Sequence, residues 1–266
     1  MMKILFPTDF SGHAEEAFGY AITLAKKMSA ELHILTTFSI QKHSASLMSL
    51  EEKIRQNVTE DLDEFINKFK DDIIGIEIKT VIAHAHPGKY IIGYSEKNDM
   101  GLIIMGTKGL SDLANIFLGS VTREVMGKGK VPVLAIPFSE GKHLIDDKIV
   151  IAHDGLTIKH PERLKILESL CRALSTRITI FHVAESGEKK EKPTLEGFNV
   201  DLIKETVIKK GDEPLKEIRL YIEEENIDLL AMIRREKNFW EKLFLTGHTD
   251  EEIMRTNVPL LVISDR

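Results

Sequence analysis

The chain alternates short apolar segments with longer amphipathic ones. Its first half contains five apolar segments, KILFPTDF, ELHILTTFS, IEIKTVIAH, MGLIIMG and VPVLAIP. Between them, apolar residues recur at helical spacing, as in GHAEEAFGYAITLAKKMS and in a longer stretch through LEEKIRQNVTEDLDEFINKFK. Strands that alternate with helices of this length are typical of βαβ units, in which helices cover both faces of a parallel sheet. The pattern therefore predicts an α/β fold.

The same pattern restarts in the second half of the chain. There KIVIAHDG echoes KILFPTDF, RITIFHV echoes ELHILTT, NIDLLAMI echoes DMGLIIMG and NVPLLVIS echoes KVPVLAIP. The offset between the copies is 145 residues at Asp9 and Asp154, and 127 residues over the last two strands. We expect a duplicated domain, with copies at residues 1–140 and 145–266 and the polar segment SEGKHLIDD between them. The second copy is shorter, and we expect its segment ESGEKKEKPTLEGFNVD to be a loop where the first copy has a long helix.

The segment IIMGTKGLSDLANIFLGSVT, residues 103–122, places three glycines and a serine behind an apolar strand. Two residues separate Gly106 from Gly109, and Gly119 and Ser120 follow after nine more. Glycine permits backbone angles and a close approach that a Cβ would block, so such a loop can turn its N–H groups towards an anion. We interpret the segment as a candidate phosphate site at the carboxyl end of a strand, where ligands of open α/β sheets usually bind.

The helix that follows the glycines strengthens this interpretation. Ser120 begins the stretch SVTREVM, and a helix N-terminus offers unpaired N–H groups with a partial positive charge. The hydroxyls of Ser120 and Thr122 add donors, and Lys108 adds a positive charge. The alternative is structural: the glycines form a turn and a C-cap, and Ser120 is a simple N-cap. The spacing matches neither the Walker motif nor the dinucleotide fingerprint, so standard nucleotide motifs do not decide between the two.

Composition narrows the function classes. Of the 266 residues, 42% are hydrophobic and 29% charged, and the net charge is −6, so we expect no bulk binding to nucleic acid. The single cysteine, Cys171, cannot form an internal disulfide, which suits a reducing compartment. No apolar run approaches the roughly 18 residues of a membrane-spanning helix. We therefore expect a cytoplasmic protein that binds neither nucleic acid nor membrane.

The combination Gly-x2-Gly-x9-Gly-Ser, with PTDFS after the first strand and VPVLAIP at the last, resembles the universal stress protein family. The resemblance extends over the chain as a tandem two-domain member, strongly for residues 1–138 and in the framework for residues 145–266. It implies two open five-stranded parallel sheets flanked by helices, each with strand order 3-2-1-4-5. This arrangement is Rossmann-like, of the adenine nucleotide alpha hydrolase type. In one branch of the family it also implies ATP at the carboxyl edge of the sheet.

The resemblance implies a set of cofactor-binding residues in the first copy. Residues at the ends of the first, second and fourth strands would enclose the adenosine, namely Pro7, Thr8, Asp9, Thr37, Phe38 and Met105. Residues of the glycine segment would surround the phosphates, namely Gly106, Lys108, Gly109, Gly119, Ser120, Val121 and Thr122. In this interpretation Asp9 accepts a hydrogen bond from the ribose or the adenine, and either Thr37 or Phe38 supplies a backbone contact to adenine. Alternatively, Asp9 closes an Asx turn or caps the following helix, a role that is compatible with the first.

The second copy departs from this pattern at the glycines. The residues that replace Gly106, Gly109, Gly119 and Ser120 are Ile233, Glu236, Thr246 and Gly247 respectively. An isoleucine side chain obstructs a close backbone approach, and a glutamate brings negative charge towards a phosphate. Arg234, Arg235 and Lys237 offset part of that charge. We nevertheless expect no normal ATP binding in the second copy, although Asp154 is retained at the position of Asp9.

Two pairs of histidines are further candidates. His84 and His86 in AHAHPG would ligate a metal only with a third converging ligand, so we expect loop histidines and assign no metal site. His153 and His182 end neighbouring strands of the second copy beside Asp154. They form either a site for a different small ligand or hydrogen bonds at the sheet edge. We assign no catalytic residue, because no Gly-x-Ser-x-Gly nucleophile context occurs.

These observations predict a nucleotide-binding protein. The first copy is expected to bind ATP, with or without Mg²⁺, or AMP or another adenine nucleotide, and to act as a stress-response regulatory or signalling module. Two alternatives stay open: a weak ATPase, slow because no motif places a general base or arginine finger, and an interaction scaffold that needs no nucleotide. We expect the last strands, VPVLAIP and VPLLVIS, to pair within the chain as a pseudo-dimer, since pairing covers exposed edges. A homodimer and an unidentified protein partner are further alternatives.

Overall fold

The structure, a computed structural model, describes residues 1–39, 47–107, 119–138, 148–184, 193–211, 213–235 and 258–266. Strands and helices alternate along it, as the hydrophobic pattern predicts. The first half contains β1 (Lys3–Pro7), α1 (Gly12–Met28), β2 (Glu31–Phe38), α2 (Leu47–Asn67), β3 (Ile78–His84), α3 (Pro87–Lys97), β4 (Leu102–Gly106), α4 (Ser120–Lys128) and β5 (Val133–Ile136). The second half contains β6 (Lys148–His153), a short 3-10 helix (Pro161–Leu164), α5 (Lys165–Leu174), β7 (Arg177–Ala184), a second 3-10 helix (Val200–Leu202), β8 (Ile203–Lys210), α6 (Pro214–Glu225), β9 (Leu229–Arg234) and β10 (Leu260–Ser264).

The described strands form one ten-stranded sheet. Its order is β3-β2-β1-β4-β5-β10-β9-β6-β7-β8, so each half has the predicted order 3-2-1-4-5. All neighbouring strands within a half are parallel, whereas β5 and β10 pair in antiparallel fashion. The predicted α/β fold and strand order are therefore confirmed, and the two five-stranded units are continuous with each other.

The inner strands carry apolar residues on both faces. Residues 102–105 of β4 and all of β9 are buried, because helices cover both sides of a parallel sheet. The outer strands β3 and β8 instead have many exposed positions, and β8 carries three lysines. The lysines of β8 discourage pairing with other chains at that end of the sheet.

Local sequence sets both boundaries of helix α1, which follows the carboxyl end of β1. The Ser11 hydroxyl caps its start by accepting a hydrogen bond from the Ala14 N–H at 3.2 Å. The helix ends at Ser29, whose left-handed backbone (φ 49°) closes the last turn. Buried residues at helical spacing, including Phe18, turn one face of α1 onto the sheet. The cap fixes where the chain leaves β1 and enters the helix.

Helix α2 has no helical counterpart among the described residues of the second half. Its Phe65 is buried and stacks with Phe6 of β1, with ring centroids 6.4 Å apart. In the second half, residues 193–199 are irregular and lead into the short 3-10 helix before β8. This matches the predicted loop, of which residues 185–192 lie outside the described ranges, as do residues 139–147 of the predicted linker.

The antiparallel pairing of β5 with β10 joins the two halves. Leu134 lies opposite Leu261 in this pairing, and both side chains are fully buried. On one face of the sheet, a hydrophobic cluster includes residues of both α1 and α5. On the other face, a second cluster includes residues of both α4 and α6. Because each cluster draws on both halves, the halves share their core.

The strands of the two halves point in opposite directions, because β5 and β10 are antiparallel. The carboxyl edge of one half therefore lies on the same edge of the shared sheet as the amino ends of the other half's strands. The carboxyl ends of β9 and β10 therefore lie beside the amino end of β5. Helix α4 precedes β5 in the chain, so its C-terminus also lies on that side. Its N-terminus follows β4 and lies on the first half's carboxyl edge.

The substitution Leu261→Ala should lower the free energy of unfolding by about 3 kcal/mol, because it leaves a cavity where both halves meet. Leu156→Ala is a matched control: Leu156 is 56% exposed. The same change there should alter stability by less than about 0.5 kcal/mol. Urea unfolding followed by circular dichroism measures both. A shared core requires Leu261→Ala to shift the whole transition, so a shift confined to half of the signal would contradict it.

Candidate functional site

A pocket of about 180 Å³ opens at the carboxyl edge of the first half's sheet. Residues from β1, β2 and β4 and from the starts of α1, α3 and α4 line it, namely Pro7, Thr8, Asp9, Ala14, Leu35, Thr37, Pro87, Ile91, Met105, Gly106, Gly119, Ser120, Val121 and Thr122. Ten of the thirteen predicted residues are in this lining, while Phe38 lies elsewhere and Lys108 and Gly109 lie outside the described ranges. The structure thus brings residues from both ends of the first half to one place.

The turn after β1 orients Asp9 in the pocket lining. The Thr8 N–H donates to the Leu35 carbonyl at 2.8 Å, which extends the strand pairing to the edge of the sheet. The Ser11 N–H then donates to Asp9 Oδ1 at 3.1 Å, and Phe10 between them has a left-handed backbone (φ 63°). This is the Asx turn expected as the structural role of Asp9. A carboxylate has several acceptor positions, so the turn orients Asp9 and leaves it able to accept from a ligand as well.

The start of α4 forms another part of the pocket lining. The Gly119 N–H donates to the Thr107 carbonyl at 2.5 Å, which holds the helix start against the end of β4. The N-cap residue, Gly119, has no side chain to cap this helix, and Ser120 and Val121 of its first turn line the pocket. An uncapped N-terminus presents backbone N–H groups and a partial positive charge. The pocket lining therefore combines a carboxylate, at Asp9, with a helix N-terminus, at the start of α4.

Thr122 has a different role from the one expected. Its hydroxyl was expected to donate to a phosphate, but it donates to the Gly106 carbonyl at 2.9 Å, and the residue is buried. A hydroxyl has one proton to donate, so this bond ties α4 to β4. Among the described residues of α4's first turn, the donors that remain are the backbone N–H groups and the Ser120 hydroxyl. Thr122 shapes the site by fixing the helix.

The two residues expected at the end of β2 have different surroundings. Thr37 lines the pocket, whereas Phe38 does not. The Phe38 ring stacks on His84 of β3 with centroids 5.2 Å apart, and the guanidinium of Arg55 lies 5.4 Å from the same ring. Consecutive residues of a strand point to opposite faces, which is consistent with the different contacts of Thr37 and Phe38.

Four lining residues were missed by sequence reasoning. Ala14, Leu35, Pro87 and Ile91 also contribute to the pocket wall. Pro87 begins α3, directly after the turn that leaves β3. Every strand-to-helix connection of a parallel sheet reaches the carboxyl edge. The segment AHAHPG connects β3 to α3, so it could have predicted that the start of α3 lines the pocket.

The corresponding edge of the second half contains a buried arginine. Arg235 is 7% exposed, and its Nη1 and Nη2 donate to the carbonyls of Thr157 and Leu156 at 2.7 and 2.8 Å. Its Nε lies 3.3 Å from Asp154 Oδ2 and 3.5 Å from Asp265 Oδ2. These are ion pairs without aligned hydrogen bonds at Nε. The guanidinium is therefore compensated entirely within the second half.

The ion pair with Arg235 gives the retained acid, Asp154, a partner within the second half. Asp154 occupies the position of Asp9, and Arg235 occupies the position of Lys108. Asp154 therefore forms an ion pair with an arginine of its own half. At the position of Gly106, Ile233 is buried within β9. Of the other replacements, residues 236, 237, 246 and 247 lie outside the described ranges.

His153 and His182 make hydrogen bonds at the edge of the second half's sheet. They lie opposite each other in the pairing of β6 with β7, and His182 Nδ1 lies 2.8 Å from the His153 carbonyl, to which it donates. The Gly155 N–H donates to His153 Nδ1 at 3.0 Å, so the proton of neutral His153 is on Nε2. Burial lowers the pKa of His153 to about 4, against the opposing effect of Asp154 and with further lowering by Arg235 and His182. His153 is thus neutral at pH 7.

The other histidine pair does not converge. His84 Nδ1 lies 3.5 Å from a carboxylate oxygen of Glu51, and His86 Nδ1 lies 3.7 Å from one of Glu124. Among the described residues, no group of three or more His, Cys, Asp or Glu is arranged to hold a metal ion. Within the same ranges, no helix combines the length and apolar character needed to cross a membrane.

The fold is that of an α/β protein with a pocket at the carboxyl edge of a doubly wound sheet, where ligands of such sheets usually bind. The model of the universal stress protein family matches residues 1–137 and 182–264, more than half of the chain, and the chain belongs to that family. Two relatives from Methanocaldococcus jannaschii are similar to half of this chain: universal stress protein MJ0577, 30% identical with 93% of its length covered, and universal stress protein MJ0531, 31% identical with 81% covered. A solved universal stress protein from Archaeoglobus fulgidus shares the fold over 99% of this chain and 96% of its own, with a TM-score of 0.74 and 24% identity.

Acid should destabilise the protein through His153. Its pKa of about 4 in the folded state lies below that in the unfolded chain, about 6.5, so the unfolded state takes up a proton first as the pH falls. The stability associated with neutral His153 is complete above about pH 6.5 and is lost progressively towards pH 4, by up to about 3 kcal/mol. Urea unfolding at several pH values between these limits measures the loss.

The variant His153→Gln should reduce this pH dependence, because glutamine stays neutral and keeps an acceptor near the Gly155 N–H. His86→Gln is the control, since the His86 side chain is 62% exposed. An unchanged pH profile in His153→Gln would show that another group carries the effect.

Proposed function

We propose that the first half binds an adenine nucleotide, ATP above others, and that the protein acts as a nucleotide-dependent regulatory or signalling module of the stress response. The observation that carries the proposal is a pocket whose lining includes both the Asp9 carboxylate and the N-terminus of α4. A nucleotide has the complementary order of groups, with hydroxyls on its ribose and negative charge on its phosphates.

The walls of the pocket suit the nucleoside. Leu35, Ile91 and Met105 supply apolar surface for a base, and Asp9 supplies an acceptor for the ribose hydroxyls. The backbone N–H groups at Ser120 and Val121 supply the phosphate contacts, as helix N-termini commonly do. Each part of the ligand thus meets a group of matching chemistry.

The pocket volume limits how much of the ligand is enclosed. Its 180 Å³ is below the range of about 300–1,000 Å³ typical of sites that enclose a whole small molecule. We infer that the described walls enclose the nucleoside and that the phosphates extend along the start of α4. Lys108 and Gly109, which the resemblance also assigns to the phosphates, remain part of the proposal.

Binding without rapid turnover is the favoured activity. Asp9 is the one ionisable side chain among the described lining residues, and the proposal uses it for the ribose. Rapid phosphoryl transfer needs groups that position the attacking water and neutralise charge on the transferred phosphoryl group. With or without Mg²⁺, we therefore propose at most slow hydrolysis.

We propose one nucleotide per chain, with the second half acting as a structural partner. Support comes from Arg235, which engages the retained acid Asp154 and would lose its ion pairs if a ligand displaced it. The domains in this proposal are residues 1–140 and 145–266. The buried free thiol of Cys171 is consistent with a reducing compartment such as the cytoplasm.

Calorimetric titration with ATP and Mg²⁺ should show micromolar binding at about one site per chain, and Gly119→Glu should abolish it. Glutamate adds a side chain and a negative charge at the phosphate end, and the backbone at Gly119 (φ −59°, ψ 156°) is accessible to any residue, so the variant should fold. Gly93→Ala is the control, since Gly93 is exposed on α3 and a Cβ there meets no atom within 4 Å. Absence of ATP binding in the wild type would contradict the nucleotide proposal and favour the alternative of an interaction scaffold.

The change Asp9→Asn should weaken ATP binding by about tenfold, because a charged acceptor contributes more than a neutral one to the same hydrogen bond. The asparagine oxygen can still accept from the Ser11 N–H, so the turn should persist. Asp61→Asn makes the same charge change at a nearby exposed position outside the pocket lining. Equal affinity in all three proteins would remove Asp9 from the proposed site.

A further inference from the structure

An arginine of the second half reaches into the first. Arg234 is the last residue of β9 and is 2% exposed. Its Nη1 donates to the carbonyl of Gly127 and its Nη2 to the carbonyl of Gly129, both in the first half. Nη2 also donates to Ser264 Oγ of β10 at 2.8 Å. The guanidinium thus bridges the end of one half's sheet and a helix of the other half.

The two carbonyls belong to the C-terminus of α4. Gly127 is in its last turn and Gly129 is its C-cap. The last carbonyls of a helix lack partners within the helix and carry a partial negative charge, which a cation nearby stabilises. Arg234 therefore supplies both the hydrogen bonds and the charge that this helix end requires.

This helix end needs outside support. Its sequence, MGKGK, contains two glycines, which are poor helix formers. A Cβ at position 129 would lie 2.8 Å from the Val125 carbonyl, so the cap geometry requires glycine there. A short helix that ends in such residues is prone to fray, and Arg234 opposes that fraying from the other half.

The opposite end of the same helix lines the pocket. Helix α4 has nine residues and is therefore about 13 Å long, which makes it a single rigid connection between Arg234 and the proposed phosphate end. The antiparallel pairing of β5 with β10 brings the end of β9 to the C-terminus of α4. The position equivalent to Arg234 in the first half is Thr107, so this feature is not a symmetric repeat.

We propose that Arg234 is a positioning residue for the nucleotide site of the other half. By holding the C-terminus of α4, it fixes the direction in which the helix N-terminus presents its N–H groups to the phosphates. The second half thereby contributes to binding in the first without binding nucleotide itself. This inference rests on the proposed function for its ligand, but the hold on α4 can be tested without one.

The test compares Arg234→Met, which keeps the length and removes all donors, with Arg234→Lys, which keeps the charge and loses the two-pronged geometry. Arg163→Met is the matched control, because Arg163 Nη1 donates to the Ser264 carbonyl at 2.7 Å. The control thus removes an arginine from the same end of β10 without touching α4. Two quantities are measured for each protein: hydrogen exchange of α4 amides without ligand, and ATP affinity by calorimetry.

We expect α4 amides to exchange at least about tenfold faster in Arg234→Met, with β6 and β7 unchanged, and ATP to bind about tenfold more weakly. Arg234→Lys should be intermediate in both measurements, and Arg163→Met should match the wild type. Intermediate behaviour of the lysine variant separates positioning from general unfolding, and it remains informative if the methionine variant folds poorly.

The outcomes separate this inference from the proposed function. If the wild type binds no ATP but α4 loosens in Arg234→Met, the hold on the helix stands and the nucleotide proposal falls. If α4 exchanges at the wild-type rate in both variants, the inference is overturned, whatever the ligand. If α4 loosens while ATP affinity is unchanged, Arg234 stabilises the helix and does not position the site.

Discussion

The antiparallel pairing of β5 with β10 is the interaction on which the rest of the structure depends. Three residue pairs, with Leu134 opposite Leu261 at the centre, convert two five-stranded sheets into one. An unpaired last strand would leave a row of free backbone groups beside an apolar surface, and the pairing covers both at once. It also lets each hydrophobic cluster run across the junction, so that packing in one half supports the other. Finally, it reverses the second half, which places that half's carboxyl edge beside the C-terminus of α4.

The two carboxyl edges have diverged through their charges. In the first half, the pocket lining includes both the Asp9 carboxylate and the N-terminus of α4. In the second half, the equivalent acid, Asp154, together with Asp265, compensates the buried guanidinium of Arg235. Burying a guanidinium is costly unless carboxylates and carbonyls surround it, and the second half supplies both. The same backbone frame thus supports an open site in one copy and an internally paired cluster in the other.

Two adjacent arginines of the second half contact different halves of the chain. Arg235 contacts the carbonyls of residues 156 and 157 in its own half, while Arg234 contacts α4 of the first half. Successive residues at the end of a strand point in opposite directions, which separates the two guanidinium groups despite their adjacency. The arginines at the positions of Thr107 and Lys108 therefore provide both the internal pairing of one edge, through Arg235, and contacts to α4 of the first half, through Arg234.

Much of the architecture follows from the sequence alone. The alternation of apolar runs with helical spacing determines βαβ units, because each strand and helix must bury its own apolar face, and the repeated frame determines a duplication. The resemblance of PTDFS and the glycine segment to a known family identifies the strand ends that line the pocket. Three features appear only in the tertiary structure. Thr37 lines the pocket and Phe38 does not, the Thr122 hydroxyl donates to the Gly106 carbonyl, and Arg234 and Arg235 contact different halves of the chain. Each of these depends on which partner packing brings within hydrogen-bonding distance, over separations as large as 107 residues for Arg234 and Gly127, and local sequence patterns carry no information about such partners.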